Sequence, residues 1–160
     1  MRLRYEATGR GAGRQRRARQ TAPLCYDPGV IVSLHAATGA TMGAAVRSRA
    51  AAAALGIPLH LAGDRVPHRD IRNRRFEVSS GVAIVALLAA RRGVTDNATI
   101  GALSACAPDI EHLVRLPRPG GSKLFHGRRG WHRAGGLSTR AQLLVAGVLI
   151  GALLAPSRRA

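Results

Sequence analysis

At 160 residues the chain is long enough for one domain with a core and short for two. Apolar residues make up 46% of it and aromatic ones only 3%, a content of mainly Ala, Leu, Val and Gly that suits closely packed helices and argues against a β-sandwich. The formal charge of +17 points to an anionic partner: nucleic acid, anionic membrane-lipid headgroups or a phosphorylated substrate; membrane-lipid headgroups are the expected partner, and aromatic residues are too scarce for a nucleic-acid stacking platform.

Residues 1–28 read as a basic tail. The stretch from Arg10 to Arg19 has no apolar periodicity with which to bury a face, so disorder is expected there, with a nucleic-acid arm or a cytoplasmic positive flank as alternatives. No apolar h-region follows the basic N-terminus at the distance a secretory signal needs. Cys25 and Cys106 make neither a disulfide framework nor a zinc knuckle, and read as free thiols in a reducing compartment.

Residues 29–156 read as a single helical domain. The run 29–46 carries no formal charge and reaches the lower limit for a membrane span, with Ala36, Gly39, Ala40, Gly43 and Ala44 allowing close helix approach. A second helix is expected from Ala50 to about Arg65, kinked or restarted at Pro58. After a polar, arginine-rich connection, a third runs from Phe76 to Arg92 around the apolar block Val82–Ala90. Thr95 or Asp96 caps a fourth, about Asn97 to Cys106; Pro108 interrupts it, and Asp109 to His112 start another turn. Residues 115–136, rich in Pro and Gly, read as a loop, and the last helix spans Thr139 to Ala155. The expected fold is all-α, about five helices in a membrane-associated bundle with short or kinked spans, placed in the bacterial inner membrane; a soluble Ala-rich bundle is the alternative.

The chemistry concentrates in His60-Leu-Ala-Gly-Asp64-Arg-Val-Pro-His68-Arg-Asp70. On a helix His60 and Asp64 share one face, and an imidazole with a carboxylate at that spacing can hold one cation. Pro67 disfavours helix at Val66, which puts His68 and Asp70 on the turn leaving that face. Asp109 and His112 are three apart and share a face if helical. His35 is the one large polar group in an uncharged apolar helix, where an ionisable side chain is costly unless paired.

Each residue also has a plain structural reading: a satisfied buried histidine for His35, a helix-surface hydrogen bond for His60 and Asp64, an N-cap after Pro108 for Asp109, and a solvated face for Glu111. The basic loop 123–133 reads as solvated, although Trp131 among arginines suits a headgroup or phosphate. Together, His and Asp on three predicted helices, each near an element end, point to one shared metal site. Imidazole and carboxylate without thiolate suit zinc, with iron, manganese or nickel as alternatives. His35, His60, Asp64, His68, Asp109 and His112 are the candidate ligands, and Asp70 the candidate proton acceptor from a metal-bound water.

The segments around Leu34–Ala40, His60–Asp70 and Gly101–His112 resemble, in this order, a group of small bacterial inner-membrane metal-dependent hydrolases, over roughly residues 30–115. The resemblance implies helices in or on the membrane and ligands at His35, His60, Asp64 and Asp109. The chain departs from the group's His-Arg-Gly-aromatic-Thr-His-Ser segment, having only His126-Gly-Arg-Arg-Gly-Trp-His132-Arg, which leaves the part of His126 and His132 open. The expected function is hydrolysis of an ester or phosphoester at the membrane; the alternative is a non-catalytic membrane scaffold or metal-binding protein with a structural ion.

Overall fold

Four of the five helices among the described residues begin on a side-chain cap. Ser48 accepts from the Ala51 amide, Asn73 from Phe76, Asp96 from Ala98 and Ser138 from Ala141, each satisfying a first-turn N–H that the helix leaves open. The computed structural model describes residues 31–69, 71, 73–114, 116–126 and 135–156. Within them lie α1 (Val32–Ala45), α2 (Arg49–Gly63), α3 (Arg74–Arg92), α4 (Asn97–Cys106) and α5 (Thr139–Leu154), with 3₁₀ turns at Ala107–His112 and Pro119–Gly121. The expected basic tail, Asp70 and His132 lie outside the described residues.

The uncharged run expected to span a membrane is instead the central helix of the bundle. α1 touches all four other helices, most extensively α4. Its Ala36, Ala37 and Ala40 join Leu88, Ala98, Ala102, Ala146 and Ile150 in the core. A core so rich in alanine works only if the backbones come close, and glycines permit this. A Cβ on Gly39 would sit 2.4 Å from the Gly101 carbonyl oxygen, and one on Gly43 2.2 Å from that of Asn97. α2 meets α4 in the same way: a Cβ on Gly56 would lie 2.5 Å from the Ser104 side chain. α2 also runs unbroken through Pro58, which sits on an exposed face.

No helix among the described residues is long and apolar enough to cross a membrane. α3 has 19 residues, but Arg74, Arg75 and Glu77 open it and Arg91 and Arg92 close it. α1 and α5 have 14 and 16 residues, lengths of about 21 and 24 Å against a hydrocarbon core of about 30 Å. The membrane-associated bundle is therefore corrected, among the described residues, to an all-α fold of five helices with no span. The inner-membrane location, the lipid-headgroup partner and catalysis at the membrane are corrected with it, since no span among the described residues supports them.

The glycine contacts should dominate stability. Gly101→Ala, whose Cβ would meet the Gly39 carbonyl oxygen at 2.2 Å, should cost about 1–3 kcal/mol in urea unfolding. Gly147→Ala, in α5 with nothing near its Cβ position, should be neutral or stabilise by up to about 1 kcal/mol.

Candidate metal centre

The chain brings His35, His60, Asp64, Asp109 and His126 to one point, each from a different local device. His35 stands in the first turn of α1. His60 lies in the last turn of α2, and Asp64 is that helix's C-cap residue, so the i,i+4 pair read in the sequence faces one way. Asp109 comes from the 3₁₀ turn that follows α4 directly, with Pro108 near its start. Three residues make one turn there, so Asp109 and His112 lie on the same side. His126 comes from the turn 124–126.

The polar atoms of these side chains stand close together. His60 Nε2 lies 3.4 Å from Asp64 Oδ2, and His126 Nε2 lies 3.3 Å from the same oxygen. The two imidazole Nε2 atoms are 3.2 Å apart. His35 Nε2 is 3.2 Å from Asp64 Oδ1, and Asp109 Oδ1 is 3.7 Å from both His60 and His126 Nε2. The His35 and His60 rings stack at 3.8 Å. His60 is wholly buried, His35 and Asp64 nearly so. Gly63 makes room, since a Cβ there would press on His35 Cε1 at 3.1 Å.

The far sides of two rings are anchored. His60 Nδ1 donates to the Ala105 carbonyl oxygen at 2.7 Å, and His126 Nδ1 donates to Glu111 Oε1 at 2.6 Å. A carbonyl can only accept, so the His60 Nδ1 carries a proton and its Nε2 is the atom turned toward the cluster. Glu111 is held ionised: burial raises its pKa, but hydrogen bonds from the His126 amide and ring and the Phe125 amide outweigh this and lower it. His126 is thus oriented the same way, by the carboxylate–imidazole contact common behind metal ligands.

The electrostatics follow. Burial pushes the His35 pKa down to about 4, so the ring is neutral and available as a donor. Burial raises the Asp64 carboxyl, but the imidazoles of His126, His35 and His60 around it hold it well below the usual carboxylate range. Burial, with Asp64 and Glu111 nearby, pushes Asp109 up to about 6 against the opposing pull of His60 and His126. His35 Nε2 and Asp64 Oδ1 face each other at 3.2 Å without hydrogen-bond geometry, and Asp109 Oδ2 is buried with no hydrogen-bond partner among the described residues. Three overlapping groups could hold a cation: His35, His60 and Asp109; His60, Asp64 and His126; and Asp109, His112 and His126. A divalent ion is compatible with each of them.

Of the other candidates, His112 stands beside His126 with ring centroids 4.4 Å apart, and its Nδ1 lies 3.1 Å from Lys123 Nζ. His68 is buried elsewhere: its ring bonds to the Val66 carbonyl, and it pairs with Leu137 in an isolated β-bridge that ties residues 67–69 to 135–137. Asp70, Trp131 and His132 lie outside the described residues. Glu111, expected on a solvated face, is buried instead and accepts from the backbone amides of Leu124, Phe125 and His126. No periodicity links positions 111 and 126, so only the folded loop reveals the pair.

Glu111→Ala should therefore release the turn that carries His126. The expected cost is about 2–3 kcal/mol, from charge-assisted bonds lost and amides left unpaired. Hydrogen exchange at residues 124–126 should accelerate more than at the core of α4; unchanged protection there would refute this role for Glu111. No family model, curated protein or solved structure matches the chain, so the expected membership of the inner-membrane metal-dependent hydrolases is corrected to a chain with no demonstrated family.

Proposed function

We propose that this chain binds a divalent cation, zinc being the metal the donors suit best, at an open centre that activates water. One observation carries the proposal. The Nε2 atoms of His60 and His126 face each other at 3.2 Å while both Nδ1 protons are committed elsewhere. Two lone pairs at that distance repel unless something positive lies between them. In the metal-free molecule a proton serves: burial lowers the His126 pKa, but Asp64 and Glu111 more than compensate and raise it. A divalent ion would serve better, because it would also engage Asp64 Oδ2, which lies near both.

The spacing supports this. Ligands at about 2.0–2.1 Å around a tetrahedral ion stand roughly 3.4 Å from one another, and the contacts among His60, Asp64 and His126 run from 3.2 to 3.4 Å. His60, Asp64 and His126, whose donor atoms stand together, would hold the ion, with His35 against the second oxygen of Asp64. Asp109, the most exposed of the five at 14% of its side chain, also lines a cavity of about 710 Å³. It would stand between ion and cavity, either as a further ligand or as a proton acceptor for water. When bound, such a cation supplies Lewis acidity and lowers the pKa of water. An opening toward a cavity favours that use over a closed structural site.

Metal analysis of the purified chain should find a bound divalent ion, and His60→Ala and Asp64→Ala should lose it. His68→Gln, remote from the cluster, should keep it. Ion affinity should fall as pH drops through about 6, where Asp109 takes up its proton and His126 competes for one. At a free-ion concentration of 100 times Kd, the ion should add about 2.7 kcal/mol of stability, removed by a chelator. A chain that binds no divalent ion at pH 7.5, or binds it undiminished in both alanine variants, would end the proposal.

A further inference from the structure

An ion between His60, Asp64 and His126 leaves a second set of donor atoms beside it. The two oxygens of Asp64 face different ways. Oδ2 lies 3.4 Å from His60 Nε2 and 3.3 Å from His126 Nε2, whereas Oδ1 lies 3.2 Å from His35 Nε2. Asp109 divides its oxygens as well: Oδ1 stands 3.7 Å from the Nε2 atoms of both His60 and His126, and Oδ2 is not part of those contacts. A tetrahedral ion takes four ligands. His60, His126 and one oxygen from each aspartate fill those places, and His35 remains outside them.

The atoms left over are His35 Nε2, Asp64 Oδ1 and Asp109 Oδ2. All three are buried. The first two face each other without hydrogen-bond geometry, and the third has no hydrogen-bond partner among the described residues. Buried polar atoms are unfavourable without a partner, so a group of them calls for one. A proton on His35 would answer only the Asp64 contact; a cation answers all three. His35, His60 and Asp109 each offer a donor atom within 4.8 Å of the others, which brings Asp109 within reach of the His35 side. The terminal torsion of an aspartate is soft, and Asp109 is the most exposed of the cluster, so its carboxylate is free to close that span.

We propose that the centre is dinuclear: a second divalent ion lies between His35 Nε2, Asp64 Oδ1 and Asp109 Oδ2, and both aspartates bridge the pair. The inference rests on the metal-centre reading and extends it from one ion to two, which makes Asp109 a ligand. Carboxylate-bridged ions stand roughly 3.5–4 Å apart. Three protein donors leave the second ion a place for water, the pattern of catalytic rather than structural sites. Charge permits either occupancy. Asp64, Asp109 and Glu111 surround the cluster with three carboxylates, so one divalent ion leaves a single negative charge in excess and two leave a single positive one. Donor geometry therefore decides, and it favours two.

The test counts ions. The full chain, stripped with a chelator and equilibrated with excess zinc, should carry two ions by native mass spectrometry, and His35→Ala should carry one. Loaded with manganese(II), the unaltered chain should give the exchange-broadened paramagnetic resonance spectrum of neighbouring ions, and His35→Ala the ordinary hyperfine spectrum of an isolated ion. Circular dichroism checks that the variant keeps its helices; if it does not, the ion count and manganese coupling of the unaltered chain decide without it. Two ions with no manganese coupling, or two coupled ions persisting in His35→Ala, would overturn the second site. One ion in the unaltered chain, lost in His60→Ala, overturns the second site and leaves the metal-centre reading intact, whereas no ion at all ends both.

Discussion

Backbone-to-backbone contact between α1 and α4 is the constraint on which the remaining geometry depends. Gly39, Gly43 and Gly101 leave no room for a Cβ, so the two helices lie closer than larger side chains would allow. The core between them can then be built from alanines, with Leu88 and Ile150 as its largest members. Gly56 brings α2 against α4 by the same means. These contacts place the start of α1, the end of α2 and the end of α4 in one small volume, where His35, His60 with Asp64, and Asp109 lie. Shifting either interface by the width of one methyl group would part ligand atoms that now stand 3.2–3.7 Å from one another.

The centre is built in two layers, and the outer one explains why the inner one holds its shape. The Ala105 carbonyl, at the end of α4, fixes the His60 ring. Glu111, on the 3₁₀ turn continuing that helix, fixes His126 and gathers three amides of the turn that delivers it. One helix end therefore positions ligands from two other parts of the chain. Burial of so many ionisable groups is unfavourable unless their charges are matched. In the metal-free state protons do the matching, through a raised His126 and an Asp109 pushed up to about 6. Those are the protons a divalent ion would displace.

The apolar runs have a different meaning from the one a membrane span would give them. In α1 the small apolar residues face neighbouring helices, and the run ends after 14 residues. In α3 the apolar block is shared between Leu88, which is fully buried in the core, and the valines that line the cavity. A hydropathy pattern reports that a segment avoids water. It does not report whether protein, lipid or a ligand replaces the water.

Much of the architecture was legible from local signals. The cap at Asp96, the proline at 108 and the alternation of apolar runs with basic connections mark the helices, because they act over a few residues. The His60/Asp64 pair was readable for the same reason: a four-residue spacing is a property of one helix. His35 was readable as a lone ionisable group in an apolar helix. His126 and Glu111 were not, since they stand fifteen positions apart and only the folded turn makes them partners. His68 shows the opposite case. It stands in the same short motif as His60 and Asp64, yet the chain leaves the helix at Pro67, and its ring and backbone pin residues 67–69 to 135–137 instead. The sequence by itself determined the helices and the type of donor they carry, through short-range periodicity and capping. Only tertiary structure decided which donors share a point, because that depends on how closely α1, α2 and α4 can approach and on where the loop returns.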